Sequence, residues 1–175
     1  MTTRCVVTGT RDGKAVFVQD DTVEPITVGL MPGLAFHSLW GADAPVTLPT
    51  DGRRPDAHAY FPPEGGFRFQ LVTIPPESTA APVVDDLARA VDEVEQKLPG
   101  LIAHTEPDQP GMHTTDTIDF EIVISGEIFL ELDDGAEVHL EPGDCVIQNG
   151  TRHAWHNRSS EPCTFAVSLL GVRRA

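Results

Sequence analysis

Two short stretches of this chain concentrate side chains able to bind a metal or move a proton. The first runs from Gly111 through His113, Thr115, Asp116, Asp119 and Glu121 into the apolar, β-branched Ile122-Val123-Ile124 and the turn Ser125-Gly126-Glu127. Alternate side chains of a continuous strand share a face, so His113, Thr115, Asp119 and Glu121, all at odd positions, are expected to line one interior. A desolvated carboxyl has a raised pKa and can act as general acid or base near neutrality, which makes Glu121 the candidate proton-transfer residue. The second stretch is Gly150-Thr151-Arg152-His153-Ala154-Trp155-His156-Asn157. Trp155 is in phase with His153 and is a candidate to stack on a substrate ring. His156, three positions from His153, is expected on the opposite, outer face.

The segments between them say how the two stretches are brought together. Ile128-Phe129-Leu130-Glu131-Leu132, the turn Asp133-Asp134-Gly135, Val138-His139-Leu140, the turn Glu141-Pro142-Gly143-Asp144 and Cys145-Val146-Ile147 are short β-type runs with regular turn chemistry. Such spacing argues for an antiparallel barrel or sandwich, with the two polar clusters facing one cavity.

In this order and spacing the residues resemble the two conserved motifs of a cupin, over about residues 100–172. The resemblance rests on His113, Asp119, Ser125-Gly126-Glu127, Pro142-Gly143-Asp144, Gly150-Thr151-Arg152-His153 and Asn157. It implies an all-β fold, a cupin-like antiparallel β-barrel (double-stranded β-helix or jelly roll). It also implies a divalent transition metal held by His113, Asp119 and His153. Metal-binding cupins usually carry His-x-His; here Thr115 stands at the second His and becomes a substrate-facing candidate. Gln148 replaces the Pro that commonly precedes the second motif and is a further substrate-binding candidate. Two imidazoles and one carboxylate with open positions suit Fe(II), and the same trio can hold Mn or Zn.

Charge and cysteine content narrow the function classes. With 27 acidic against 12 basic residues and a net charge of −15, the 175-residue chain repels phosphate backbones and anionic lipid, so neither nucleic acid nor a membrane is an expected partner. Cys5, Cys145 and Cys163 are odd in number and lack CxxC spacing, which argues against a disulfide framework. Cys145 is expected to pack as a small buried residue. Without a signal-like segment or a long apolar run, a cytoplasmic location is expected.

The N-terminal part is expected to extend the barrel. Cys5–Thr8 and Ala15–Val18 read as a hairpin turning at Arg11-Asp12-Gly13, Leu34–Trp40 as a strand, and Thr47-Leu48 as a short strand within a Pro/Gly-rich loop over 45–66. Phe67–Ile74 reads as a strand with Phe67, Phe69 and Leu71 on one face. The spacing of Val84, Leu87, Val91, Val94 and Leu98 predicts one amphipathic helix over 82–98, ended by Pro99-Gly100. The domain reading is one cupin domain over 1–175: N-terminal strands and loop to 80, the helix, then the motif-bearing barrel over 100–172. A homodimer is expected through barrel edges. Two functions follow: a metal-dependent enzyme acting on a small organic acid, carbonyl or aromatic metabolite, or a non-catalytic small-ligand-binding or regulatory cupin that has lost the metal. Cupins host dioxygenases, decarboxylases, isomerases and lyases, so the reaction class stays open.

Overall fold

A computed structural model describes residues 2–175. Ten strands and one helix follow in order: β1 (Thr3–Arg11), β2 (Lys14–Val23), β3 (Ala35–Ala42), β4 (Phe67–Ile74), α1 (Leu87–Lys97), β5 (Thr117–Ser125), β6 (Ile128–Glu131), β7 (Glu137–Leu140), β8 (Cys145–Gln148), β9 (Ala154–His156) and β10 (Cys163–Gly171). They form a five-stranded sheet ordered β3-β4-β10-β5-β8, a three-stranded sheet ordered β7-β6-β9, and the β1-β2 hairpin, all paired antiparallel. The fold is therefore mostly β with one helix, as the motifs imply. The two N-terminal strands β3 and β4 join the same sheet as the motif strands rather than a sheet of their own.

Register sets which residues face inward. Gln70 pairs with Val167, and Val167 with Glu121; Arg68 pairs with Leu169, and Leu169 with Asp119. Each set is one cross-strand row on the inner face. Between the sheets lie Val123, Ile128, Leu130, Leu140, Phe165, Val167 and Leu169, joined by Phe36, Val72, the helix residue Val94 and the residue that caps the helix C-terminus, Leu98. Phe69, Phe120, Ile122, Ile147 and Leu170 sit on the outer face and stay exposed.

On β4, Arg68, Gln70 and Val72 face inward, while Phe69 points out at 41% exposure. Both faces of this sheet carry apolar residues, so alternation alone does not say which is inside. Three expectations are corrected. Cys145 is exposed, because it pairs with the outward Ile122. The helix begins at Leu87, not Pro82, because the Asp86 carboxylate accepts from the Arg89 amide and caps it there; Val83 is left 93% exposed. Thr47-Leu48 forms no strand, and Leu48 lies exposed in the loop.

That loop is nevertheless tied down. The Tyr60 amide donates to the Pro99 carbonyl, the Gly65 amide to the Gly171 carbonyl, and the Gly171 amide to the Gly66 carbonyl. A Cβ on Gly171 would lie 1.9 Å from the Pro63 carbonyl oxygen, so only glycine allows the loop this close to β10. Arg68, buried on β4, donates to the carbonyls of Ala42, Ala59 and Phe67 and to the Asp43 carboxylate at 2.5 Å. Burial pushes the Asp43 acid up, but hydrogen bonds from His58 and Arg68 outweigh it and hold the carboxyl at about 2. No helix of the described residues is long and apolar enough to cross a membrane.

Candidate metal centre and cavity

The two motif histidines meet through the backbone. The His113 amide donates to the His153 carbonyl at 2.9 Å, and the His153 amide returns a bond to the His113 carbonyl at 3.0 Å. This reciprocal antiparallel bridge sets the two side chains next to each other, with ring centroids 4.1 Å apart. In each ring Nδ1 lies 2.9 Å from a main-chain oxygen, Gly111 O for His113 and Thr151 O for His153. With its Nδ1–H donated there, each imidazole keeps the Nε2 lone pair free, the pose of a metal-ligating histidine. Burial lowers both pKa values, that of His153 to about 4 with help from neighbouring His113, so both rings are neutral at pH 7.

The carboxylates come from β5. Asp119 and Glu121 are buried, and Asp119 Oδ1 and Glu121 Oε2 have no hydrogen-bond partner. Burial raises the Asp119 acid to about 6, partly offset by the Thr117 hydroxyl. Burial, and then the Asp119 charge, raise Glu121 to about 8. Orphaned polar atoms of this kind call for a ligand, an ion or a proton.

His113, Asp119, Glu121, His153 and Trp155 all line one cavity of about 300 Å³ between the sheets. A larger cavity of about 480 Å³ lies beside Arg54 and Lys97 and contains none of these groups, so volume does not identify the site here. The expected continuous strand from His113 is not formed: β5 starts at Thr117, and Thr115 turns inward to pair its hydroxyl with that of Thr117 at 2.8 Å. Thr115 and Gln148 are both buried but stand outside the cavity wall. Gln148 accepts a short hydrogen bond from the Thr151 hydroxyl, and its Nε2 is unpartnered.

In kind, the donor set fits a divalent ion: two neutral imidazoles with free Nε2 atoms and one unpartnered carboxylate oxygen in a shared cavity. The three residues' ligand atoms do not all lie within 4.8 Å of one another. Among the described residues that closeness is found at Glu127, His139 and Glu141 and at Glu131, Glu137 and His156, both away from the cavity. These clusters escaped the sequence reading, although the pairing of Glu131 with Glu137 across β6 and β7 is what assembles the second.

In the second cluster the His156 ring bridges Glu77 at 2.7 Å and Glu131 at 2.6 Å, while Arg158 holds Glu137. His156 is thus half-buried in an ion-pair bridge rather than free at the surface. Burial lowers its pKa, but the two carboxylates outweigh burial and leave it raised above 6.5. A raised histidine contributes stability that is fully present below its unfolded pKa and lost as pH rises through the folded value. The melting-temperature advantage of wild type over His156→Gln is therefore expected to be largest at pH 6 and to shrink toward alkaline pH. A gap that widens with pH would contradict the bridge.

Aromatic residues that the motifs did not indicate complete the cavity. Phe36, Tyr60, Phe61 and Phe165 line it, with Tyr60 edge-on to Phe36 at 5.3 Å and to Phe61 at 4.8 Å. Trp155 lies 5.3 Å from Phe165. Burial raises the Tyr60 phenol well above its ordinary range, which keeps it protonated.

The chain is similar to known proteins over the motif strands. Residues 102–169 match the cupin domain model. The phomopsin biosynthesis cluster protein C' of Diaporthe leptostromiformis is 50% identical over 48 residues, 27% of this chain and 25% of that protein. The oryzines biosynthesis cluster protein J of Aspergillus oryzae is 43% identical over 61 residues, 35% of this chain and 34% of that protein. The match thus spans between a quarter and about a third of these relatives' lengths. Among solved structures, a predicted oxalate decarboxylase from Thermotoga maritima is similar at 13% identity over 86% of this chain and 94% of that one, with a TM-score of 0.45. With its motif order, antiparallel sheets and inward-facing histidine pair, the segment 102–169 is a cupin domain.

Proposed function

We propose that the inter-sheet cavity is the active site of a metal-dependent enzyme acting on a small organic metabolite, with His113, Asp119 and His153 holding one Fe, Mn or Zn ion. The observation that carries this reading is the pair of neutral imidazoles, each locked through Nδ1 to a main-chain oxygen, facing the same cavity as the unpartnered Asp119 oxygen. A bound ion would polarise a substrate oxygen or activate water or dioxygen. Glu121, whose carboxyl pKa burial raises, lines the same cavity and would deliver a proton to a group there, or take one back in the reverse direction. Trp155 and Phe165 give a substrate ring an apolar wall and exclude water. The fungal relatives are named for biosynthesis clusters, which supports a small metabolite as substrate.

One observation favours a second reading, a binding cupin without metal. The three family-matched ligands do not converge within 4.8 Å, so closing on an ion requires side-chain adjustment. Metal content decides between them. About one equivalent of transition metal per chain after chelator-free purification, or after reconstitution with Fe, Mn or Zn, supports the enzyme. None under either condition supports the binder.

A further inference from the structure

On the inner face of the five-stranded sheet, Ser38, Gln70, Val167, Glu121 and Val146 form one row, each paired with the next across neighbouring strands. Strands lie about 4.8 Å apart, so Gln70 and Glu121 flank Val167 at a separation of roughly 10 Å. Gln70 is 4% exposed and donates its Nε2–H to the Tyr60 hydroxyl oxygen at 2.7 Å. Because that oxygen accepts from Gln70, the phenol's own hydrogen is left to give, and among the described residues it meets no acceptor. Tyr60 and Gln70 therefore present a fixed donor in the wall of the cavity, across Val167 from the carboxylates.

The charge of the wall limits what can accept that hydrogen. Asp119 and Glu121 line the cavity, and no Lys or Arg among the described residues does. The guanidinium in the neighbouring row, Arg68, has every N–H committed: Nε to Ala59 O, Nη1 to Ala42 O and Phe67 O, and Nη2 to Asp43 and Ala59 O. An anion entering here gains no positive charge from the chain and loses its hydration, and a bound ion would draw a carboxylate to His113, Asp119 and His153 rather than to Tyr60, which leaves the Tyr60 donor for an uncharged oxygen. An uncharged ring has Phe36, Tyr60, Phe61, Trp155 and Phe165 to pack on, in a volume at the lower end of small-molecule sites.

We infer that the cavity takes an uncharged, ring-bearing molecule with an acceptor oxygen such as a carbonyl, and that Tyr60, aimed by Gln70, is the specificity-determining donor to that oxygen. This deepens the proposed function by naming the substrate class of the same cavity, in place of an organic acid.

Acetophenone and benzoate share a ring and nearly a shape, and differ in charge at the oxygen-bearing end. Calorimetric titration of both into wild type, Tyr60→Phe and Gln70→Leu, each metal-stripped and manganese-treated, tests the inference. In stripped wild type, acetophenone is expected to bind at least about tenfold more tightly than benzoate. Tyr60→Phe is expected to weaken acetophenone about tenfold and leave metal stoichiometry unchanged, with a lowered melting temperature because the buried Gln70 amide loses its acceptor. Gln70→Leu, which frees the phenol to swing, is expected to lower the acetophenone-to-benzoate ratio as well. Equal or tighter benzoate binding to stripped wild type, wild-type acetophenone affinity in Tyr60→Phe, or no acetophenone binding at all overturns the inference. Acetophenone binding through Tyr60 in a protein that takes up no metal upholds it while overturning the metal-dependent reading. Metal uptake without acetophenone binding does the reverse.

Discussion

Replacing His153 with Ala is expected to remove most of the protein's affinity for divalent metal, and His113→Ala and Asp119→Ala to do the same. On the proposed three-ligand assignment, losing one ligand leaves two, and two hold a divalent ion far less well. Changing a residue that merely orients a ligand costs about 10–100-fold in affinity, so removing a ligand is expected to cost about 100-fold or more. Thr115→Ala is the control. Its hydroxyl is spent on Thr117 and stands outside the cavity wall, so this variant is expected to keep its metal. Titration of each variant with manganese or zinc, followed by elemental analysis, reads the result. Loss of metal in Thr115→Ala as complete as in His153→Ala, or retention in His113→Ala, would show the three-ligand assignment to be wrong.

A second large effect is expected from Arg68→Ala. This side chain is 7% exposed, pairs with Asp43 and satisfies three main-chain carbonyls around the base of the loop that carries Tyr60. Removing one partner of a buried pair costs 3–5 kcal/mol, and because Asp43 is 27% exposed the lower end applies, about 3 kcal/mol. In a chain of this size that corresponds to a melting-temperature drop of roughly 6–12 °C. Arg68→Lys is expected to recover only part of it, since one ammonium cannot reach acceptors spread around a planar guanidinium. A change under about 1 kcal/mol by chemical denaturation would mean that the loop is held without Arg68.

The limits of what the sequence shows follow from particular residues. The bounds of β4, Phe67–Ile74, are those read from its composition, because Pro75-Pro76 ends the run and β-type residues fill it. Phe67, Phe69 and Leu71 share one face, as read, but which face points inward was not legible from them: Arg68 and Gln70 face in, and the outer surface of this sheet is also apolar at Phe120, Ile122 and Ile147. The readable signal was the period-two pair Arg68 and Gln70, which matches Asp119 and Glu121 on β5. The inward aim of Asp119 and Glu121 was legible from alternation. That the clusters of His113 and His153 face one cavity was legible from strand and turn spacing, but their direct pairing was not, since a backbone bridge between residues forty positions apart leaves no local trace. Tyr60 and Phe61 were hidden for another reason: they come from a Pro/Gly-rich loop whose path is fixed by Gly171, Pro99 and Arg68, all distant in sequence.

The central claim is that the histidine pair is a metal centre rather than a packed core pair. X-ray absorption spectroscopy of the zinc-reconstituted protein tests it most directly, by counting imidazole donors around the ion. The account predicts two imidazoles and at least one oxygen donor in wild type, and one imidazole in whatever residual complex His153→Ala forms. A wild-type spectrum without two imidazoles, or one that His153→Ala leaves unchanged, would contradict it and place any bound metal elsewhere, with the exposed Glu127, His139 and Glu141 group as the next site to examine.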